Sequence, residues 1–350
     1  MALDVVEVST KNGIRAFNSF PHSIYRNFYQ APAFPSLKQG SPGAADPLFS
    51  RVEAQPFLAV KDGRPVGRIA ASVHHAAPGG KAGFFGYFES FCNHNVAAAL
   101  LEAAYWWISA RGFSQMIGPV DLTPHERLGL LVEGFEGFHL PGMPYNPPFY
   151  ASLFEKFGLK TETDLYAYHL NFKGNVPDRL ARVAARAGRI DELRIRPVDF
   201  CNTACEGEML SLLHNESMRE IWGFVPLSPE EAAAIWNKLK GFYDPELILV
   251  AEVSGKPAGL CLALLPLKAR SFSIASIRPT ARLAVFAVLP QFRSRGIEAL
   301  LILEFINRAY RKGVSLMEFS LVAGSNTMMN RIIQNFEQVK RNRLYKIYKL

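Results

Sequence analysis

Val288–Leu301 reads V-L-P-Q-F-R-S-R-G-I-E-A-L-L, and this stretch decides how the rest of the chain is read. A β-branched and apolar run, Leu283–Leu289, ends at Pro290. A short basic turn with one glycine follows. The chain then enters an amphipathic pattern with Ile297, Leu300, Leu301, Leu303 and Ile306 on one face, which predicts a helix. The first amides of a helix have no internal partner and carry the positive end of its dipole. A strand, an Arg-x-x-Gly turn and a helix start therefore aim backbone N–H groups at an anion such as phosphate, with Arg293 and Arg295 adding formal charge. An ordinary strand-to-helix connection with solvated arginines has the same local pattern, and context must separate the two.

The context is an internal repeat. Ala59–Gly67 reads A-V-K-D-G-R-P-V-G and Ala251–Gly259 reads A-E-V-S-G-K-P-A-G. In each, an apolar strand meets a turn whose Asp62-Gly63 or Ser254-Gly255 supplies the positive φ of a tight hairpin. Further on, a helix over Val96–Ala110 ends at Arg111-Gly112, and a helix over Ile297–Arg311 ends at Lys312-Gly313. Glycine after a basic last turn is C-cap chemistry. Each copy continues with a strand, an Asn (Asn146, Asn326), another helix and an aromatic-rich strand (Asp164–Phe172, Arg343–Leu350). The spacing is domain-sized and far too long for a solenoid. The expected organisation is α/β, with domains 1–172 and 194–350 joined by a basic linker, 173–193, that carries Arg179, Arg182, Arg186 and Arg189 on a solvated, partly helical connector.

Composition sets the outer limits. The 350 residues are 49% hydrophobic and carry a net charge of +8, a globular composition of two-domain length. No apolar run reaches the length of a membrane span, and M-A-L-D-V-V-E-V shows no export pattern. Cys92, Cys201, Cys205 and Cys261 have neither metal nor redox spacing, so no metal and a reduced cytoplasmic compartment are expected. From Arg270 to Leu350 there are 14 Lys/Arg against 4 Asp/Glu. Such a field attracts a phosphorylated cofactor, RNA or acidic lipid. No aromatic-interleaved RNA-binding signature accompanies it.

The order of elements in the second copy resembles the GNAT N-acetyltransferase superfamily. The residues that carry the resemblance are Val288-Leu289-Pro290, Arg293-Ser294-Arg295-Gly296-Ile297, the Lys312-Gly313 helix end, and Asn326 after a strand at Leu316–Val322. Over nearly its full length the chain looks like a poorly characterised bacterial family of tandem GNAT proteins, on the segments Gly118–Phe135, Met143–Tyr150 and Trp222–Ser228. The resemblance implies two GNAT-like acyltransferase domains, each a mixed sheet flanked by helices. It implies acetyl-CoA or another acyl-CoA as co-substrate, and a small amine or amino acid as acceptor.

Carried over residue by residue, the main chain of Phe286–Val288 would pair with the pantetheine arm, and an amide at Val288 or Leu289 would polarise the thioester carbonyl. Arg293, Ser294, Arg295, Gly296 and Ile297 would take the pyrophosphate, and Asn326 would contact the coenzyme near its thiol. Glu298 departs from the pattern by replacing a small residue with a carboxylate at the phosphate turn. The position of the usual acidic tyrosine is Ile333 in the second copy and Phe154 in the first. Glu318 is a candidate base, and Trp222 and Phe224 are candidates for the acceptor wall.

The first copy has F-E-S-F-C-N-H-N-V-A-A-A (Phe88–Ala99) in place of the phosphate turn. It is expected to lack a coenzyme and to serve packing or acceptor selection, with the long insertion Asp121–Met143 contacting the acceptor. The expected function is acyl-CoA-dependent N-acyl transfer in the C-terminal domain. The alternatives are a non-catalytic tandem GNAT scaffold and an aminoacyl-tRNA-dependent transferase of the FemABX kind. The chain lacks the heptad-patterned insertion often found in that last type.

Overall fold

A computed structural model describes residues 3–26, 36–37, 46–77, 80, 82–267 and 279–350. The chain divides into two compact units, Met1–Leu165 with Arg343–Leu350, and Tyr166–Asn342.

The first unit begins with β1 (Leu3–Glu7), α1 (Lys11–Ser19) and α2 (Pro21–Ile24), followed by β2 (Val52–Lys61), β3 (Arg64–His74) and β4 (Ala82–Ser90). These four strands form an antiparallel meander. The turn between β2 and β3 has φ 51 at Asp62 and 72 at Gly63, the conformation its sequence demands. Next come α3 (His94–Ser109), β5 (Gln115–Gly118), β6 (Leu130–Glu133), α4 (Tyr150–Phe157) and the start of β7 (Lys160–Asn171). Asn93 caps α3 by accepting from the Asn95 and Val96 amides. Val96, Ala97, Leu100, Leu101 and Ala104 form the buried stripe of α3, packed with Phe57, Ile69, Phe85 and Phe154.

In the second unit the end of β7 is followed by α5 (Asp178–Ala184), β8 (Leu193–Pro197), α6 (Thr203–Ser217), α7 (Pro229–Leu239), β9 (Ile248–Val253) and β10 (Lys256–Leu264). The described chain resumes with β11 (Thr280–Val288), α8 (Ile297–Arg311), β12 (Leu316–Ala323), α9 (Thr327–Gln334) and β13 (Val339–Lys349). The sheet order within the unit is β7-β12-β11-β10-β9-β8. The hairpin turn of β9 and β10 repeats that of the first unit, with φ 51 at Ser254 and 71 at Gly255. Ile297, Leu301, Ile302, Phe305 and Ile306 seat α8 on the sheet. Each large side chain buried this way contributes about 1.5–3 kcal/mol.

Three expectations from the sequence are corrected. The aromatic end of the second copy, Arg343–Leu350, belongs to the first unit. Tyr348 and Lys349 pair with Gly118 and Ile117 on β5, and Leu344–Lys346 pair with β6. Tyr348 is 1% exposed and lies in the first unit's core. Both terminal strands are aromatic-rich runs of similar composition, so their pattern does not reveal which sheet receives them. Residues 173–193 are also not a solvated connector: Leu180, Ala184 and Ala187 are buried in the second unit's core, packed with α8. Finally, the insertion Asp121–Met143 is not an open loop. It contains β6, and Leu122, Leu130, Leu131 and Met143 are buried.

Removing Arg343–Leu350 is expected to strip β5 and β6 of their partner and lower the melting transition of the first unit. Calorimetry showing that transition unmoved would contradict the strand assignment.

Candidate active site

The site begins where two parallel strands part. β11 and β12 pair only from Thr280–Leu283 with Leu316–Phe319. Beyond Leu283, β11 stays hydrogen-bonded to β10 as far as Val288, on its other edge. Backbone groups alternate along a strand. The Leu289 amide donates to Ala258 O at 2.9 Å, on the β10 side. By alternation Phe286 and Val288 present their amides to the edge facing β12. This corrects one expectation: the Leu289 amide is engaged by β10, and Phe286 and Val288 supply the cleft-facing donors.

Arg293 closes the mouth of this cleft. Its Nε donates to Val288 O at 3.1 Å and its Nη2 to Ser217 O at 2.8 Å. The chain then turns through Ser294 (φ 61) and Gly296 (φ 97), which caps α8 in the left-handed conformation. Glycine is compulsory at 296 on two grounds, its φ and its neighbours. A Cβ there would run into Val183 O and sit 2.9 Å from Ala187 N, so the segment after α5 rests on the turn. The Glu298 side chain turns inward. It is 6% exposed, and its carboxylate accepts the Ser294 N–H at 3.0 Å. An anion thus already lies at the positive end of α8, supplied by the chain itself. Arg295 is exposed, with its guanidinium 6.0 Å from the Phe292 ring.

The other expected contacts serve structure first. Asn326 caps α9 by accepting the Met329 amide at 3.0 Å. Ile333, which stands where a tyrosine acid was sought, is fully buried in the core. Phe224 stacks on His214 at 5.5 Å, and both Trp222 and Phe224 are half-buried in the segment between α6 and α7. Burial holds the His214 imidazole below its ordinary value.

Glu318 stands opposite Arg282, one pair before the strands part. Its neighbours along β12, Met317 and Phe319, enter the core with α8, so Glu318 and Ser320 share the opposite face. Glu318 is 0% exposed. Its Oε1 accepts from Ser320 Oγ at 2.7 Å, and its Oε2 lies 2.9 Å from His169 Nε2. Arg282 Nε donates to Ser320 Oγ at 3.0 Å, and Asn342 Nδ2 lies 3.1 Å from His169 Nε2. Glu318 Oε2 and Asn342 Nδ2 both meet the same ring nitrogen and so fix the orientation of the imidazole. Sequence reasoning found Glu318 but missed His169. The available signal was a single histidine in the aromatic strand D-L-Y-A-Y-H-L-N.

The repeat permits a direct comparison with the first unit. The Phe91 amide donates to Val66 O at 3.4 Å, as Leu289 does to Ala258, so Ser90 is the counterpart of Val288. In the first unit this amide is occupied, because Ser90 N donates to Tyr150 Oη at 2.8 Å. Tyr150 and Tyr25 in turn donate to Glu89 Oε2 at 2.8 and 2.7 Å. The Tyr87 amide donates to Asp121 Oδ1 at 2.7 Å, and Arg127 Nε to Asp121 Oδ2 at 2.8 Å. Burial pushes the Glu89 carboxyl above its ordinary range despite Arg68 and the two tyrosines, and pushes Tyr150 well up. Side chains therefore engage the Tyr87 and Ser90 amides of the first unit, around a small pocket lined by Glu89, Asp121, Arg127, Tyr145 and Tyr150, whereas among the described residues no side chain is recorded on the Phe286 and Val288 amides. The sequence offered one clue to this centre, an isolated glutamate in F-F-G-Y-F-E-S-F. Among the described residues no group of three His, Cys, Asp or Glu is arranged to hold a metal, and no helix is long and apolar enough to cross a membrane.

A solved tandem GNAT protein from the clavulanic acid biosynthesis pathway superposes over 100% of this chain and 98% of its own, with a TM-score of 0.60 and 13% identity. The chain has the tandem GNAT fold. No family model matches the sequence. Protein YghO of Escherichia coli K12 is 28% identical over 368 residues, covering 96% of this chain and 93% of its own. A bacterial ceramide synthase of Caulobacter vibrioides is 28% identical over 268 residues, covering 75% of this chain and 70% of its own. This tandem GNAT chain thus has relatives of similar length, whose names differ in what they say of function.

Two outcomes follow for the first unit. Tyr150→Phe leaves the Ser90 amide and Glu89 each short of a buried partner, so denaturant unfolding should show a loss of about 1–3 kcal/mol. Because burial raises Glu89 on folding, the folded state holds that proton more tightly than the unfolded chain. Stability should therefore fall as pH rises from the ordinary carboxylate range through the folded value. Glu89→Gln should flatten this dependence, and an unchanged pH profile would contradict the assignment.

Proposed function

We propose that this tandem GNAT chain is an N-acyltransferase that moves an acyl group from a pantetheine thioester, of which acyl-CoA is the first member to test, to an amine, and that the second unit performs the reaction. The observation that carries the reading is that, among the described residues, the β12 side of β11 has no strand partner beyond Leu283. The Val288 amide lies on that edge, six residues along β11 from Arg282, which stands opposite Glu318, while its counterpart at Ser90 is taken by Tyr150.

An extended pantetheine arm carries amides spaced to pair with such an edge, in the manner of an added strand. The Phe286 N–H would then face the thioester carbonyl as it gains negative charge, and the Val288 N–H, nearer the phosphate turn, would face the pantetheine arm. One well-placed donor of this kind contributes about 3 kcal/mol to a transition state. The amine nitrogen attacks the carbonyl carbon, the ammonium proton passes by way of water toward His169, about 13 Å along the strands from Phe286, and the C–S bond breaks. Glu318 acts through His169 by holding the ring and stabilising its charged form. Ile333 cannot protonate the departing sulfur. A thiolate with a pKa of about 8.5 leaves without that help, at some loss of rate.

Trp222 and Phe224 are proposed as the apolar acceptor wall, and Arg295, Gly296, Ile297 and Asn326 as the surroundings of the donor's phosphate and pantetheine. The name of the Caulobacter relative supports an amine acceptor. A ceramide is the amide of a fatty acid and a long-chain amino alcohol, so such an amino alcohol is the first acceptor to try.

Mass spectrometry of a reaction with a palmitoyl thioester and sphinganine should detect the amide. Absence of amide across a panel of long-chain and short amines would remove the reading. His169→Ala should lower kcat by about 10²–10⁴ and leave thioester binding in place. Glu318→Gln should lower kcat, because the ring loses the carboxylate that orients it. Full activity in both variants would place the base elsewhere.

A further inference from the structure

We infer that the acyl donor is a thioester on the phosphopantetheine arm of an acidic carrier protein, in preference to a free nucleotide thioester such as acyl-CoA. The inference rests on the transferase reading and names the donor for that same site.

The donor channel and the phosphate turn make opposite statements. Among the described residues no strand pairs with the Phe286 and Val288 edge of β11, as a pantetheine arm requires. At the end of that edge, where the arm's phosphate would emerge, the turn is already occupied. Glu298 holds the Ser294 N–H at 3.0 Å and is 6% exposed, so a buried carboxylate sits in the anion position. Arg293 points away from it, bonded to Val288 O and Ser217 O. The backbone of Val183 and Ala187 covers Gly296. A pyrophosphate brought here would meet a like charge in a desolvated place, and it would have to displace both the carboxylate and the covering segment.

The positive charge in this region lies outside the turn. The segment 173–189 has five basic residues, Lys173, Arg179, Arg182, Arg186 and Arg189, against one acid, Asp178. All five are exposed, as is Arg295. Arg186 is placed directly at the turn, with its Cβ 3.3 Å from where a Cβ on Gly296 would lie. Packing of Leu180, Ala184 and Ala187 against the core holds this segment in place and leaves its arginines facing solvent. Exposed guanidinium groups around the mouth of a narrow channel suit a broad acidic protein surface, which they can steer and orient. A single phosphodiester can stay at the mouth beside Arg186 and Arg295 without entering the turn. Transfer then breaks the thioester C–S bond, forms the amide C–N bond and passes the amine proton by way of water toward His169. The free thiol returns on the carrier's arm once its sulfur is protonated.

The test compares three donors with the same acyl chain: the CoA thioester, the thioester of a holo acyl carrier protein, and the N-acetylcysteamine thioester, which has no phosphate. The carrier-protein thioester should exceed the CoA thioester in kcat/KM by tenfold or more. Reversing two charges, Arg182→Glu with Arg186→Glu, should lower kcat/KM for the carrier protein by at least tenfold and leave the N-acetylcysteamine thioester unchanged. Glu298→Gly should raise the use of the CoA thioester relative to wild type. A wild-type enzyme that uses the CoA thioester as well as the carrier protein overturns the donor inference and leaves the transferase reading standing. So does a charge reversal that leaves carrier-protein kinetics unmoved. Amide from none of the three donors overturns both.

Discussion

Backbone hydrogen bonding that stops short is the constraint on which this structure turns. β11 and β12 pair over four residues and then part, while β11 stays paired to β10 from Arg282 to Val288 with one irregularity at Ala284. A strand edge without a neighbour leaves N–H and C=O groups that need a partner. Everything near the second unit's site either borders that edge or closes one end of it. Arg293 ties off the Val288 carbonyl at the mouth, Glu298 satisfies the turn beyond it, and the Arg282–Ser320–Glu318–His169 network sits beside the point of parting.

The first unit shows what happens when the same opening is filled from within. Tyr150 reaches the Ser90 amide, and Glu89 is held by two tyrosine hydroxyls. Asp121 takes the Tyr87 amide and pairs with Arg127. These are buried polar groups in a satisfied network, a costly arrangement to break and a rigid one to keep. One fold thus appears twice in one chain, with side chains engaging the strand edge in one copy and, among the described residues, none recorded on that edge in the other.

Much of this was legible in the sequence, for physical reasons that can be named. The hairpin turns declared themselves because Asp62-Gly63 and Ser254-Gly255 are residue pairs that tolerate positive φ. The helix at Ile297–Arg311 has the ends expected from its apolar period and its glycine stop. The destination of the last strand was not legible, because an alternating aromatic pattern fits either sheet equally well. The direction of Glu298 was open as well, since a side chain in the first turn of a helix can face solvent or reach back to the preceding loop. His169 and Glu318 are 149 residues apart in sequence, and only the sheet order brings them within 2.9 Å. Glu89 and Tyr150 went unnoticed because the search was for a phosphate turn and a tyrosine at position 154, while the hydroxyl sits one helical turn earlier.

The central claim is that a pantetheine thioester takes its place along β11 and has no corresponding place along β4. Hydrogen exchange measured with and without a non-hydrolysable acyl-pantetheine thioether tests it most directly. The account predicts slowed exchange in peptides that contain Phe286 and Val288, and no change in those that contain Ser90. Protection at Ser90 with none at Phe286 and Val288 would contradict it and move the donor site to the first unit.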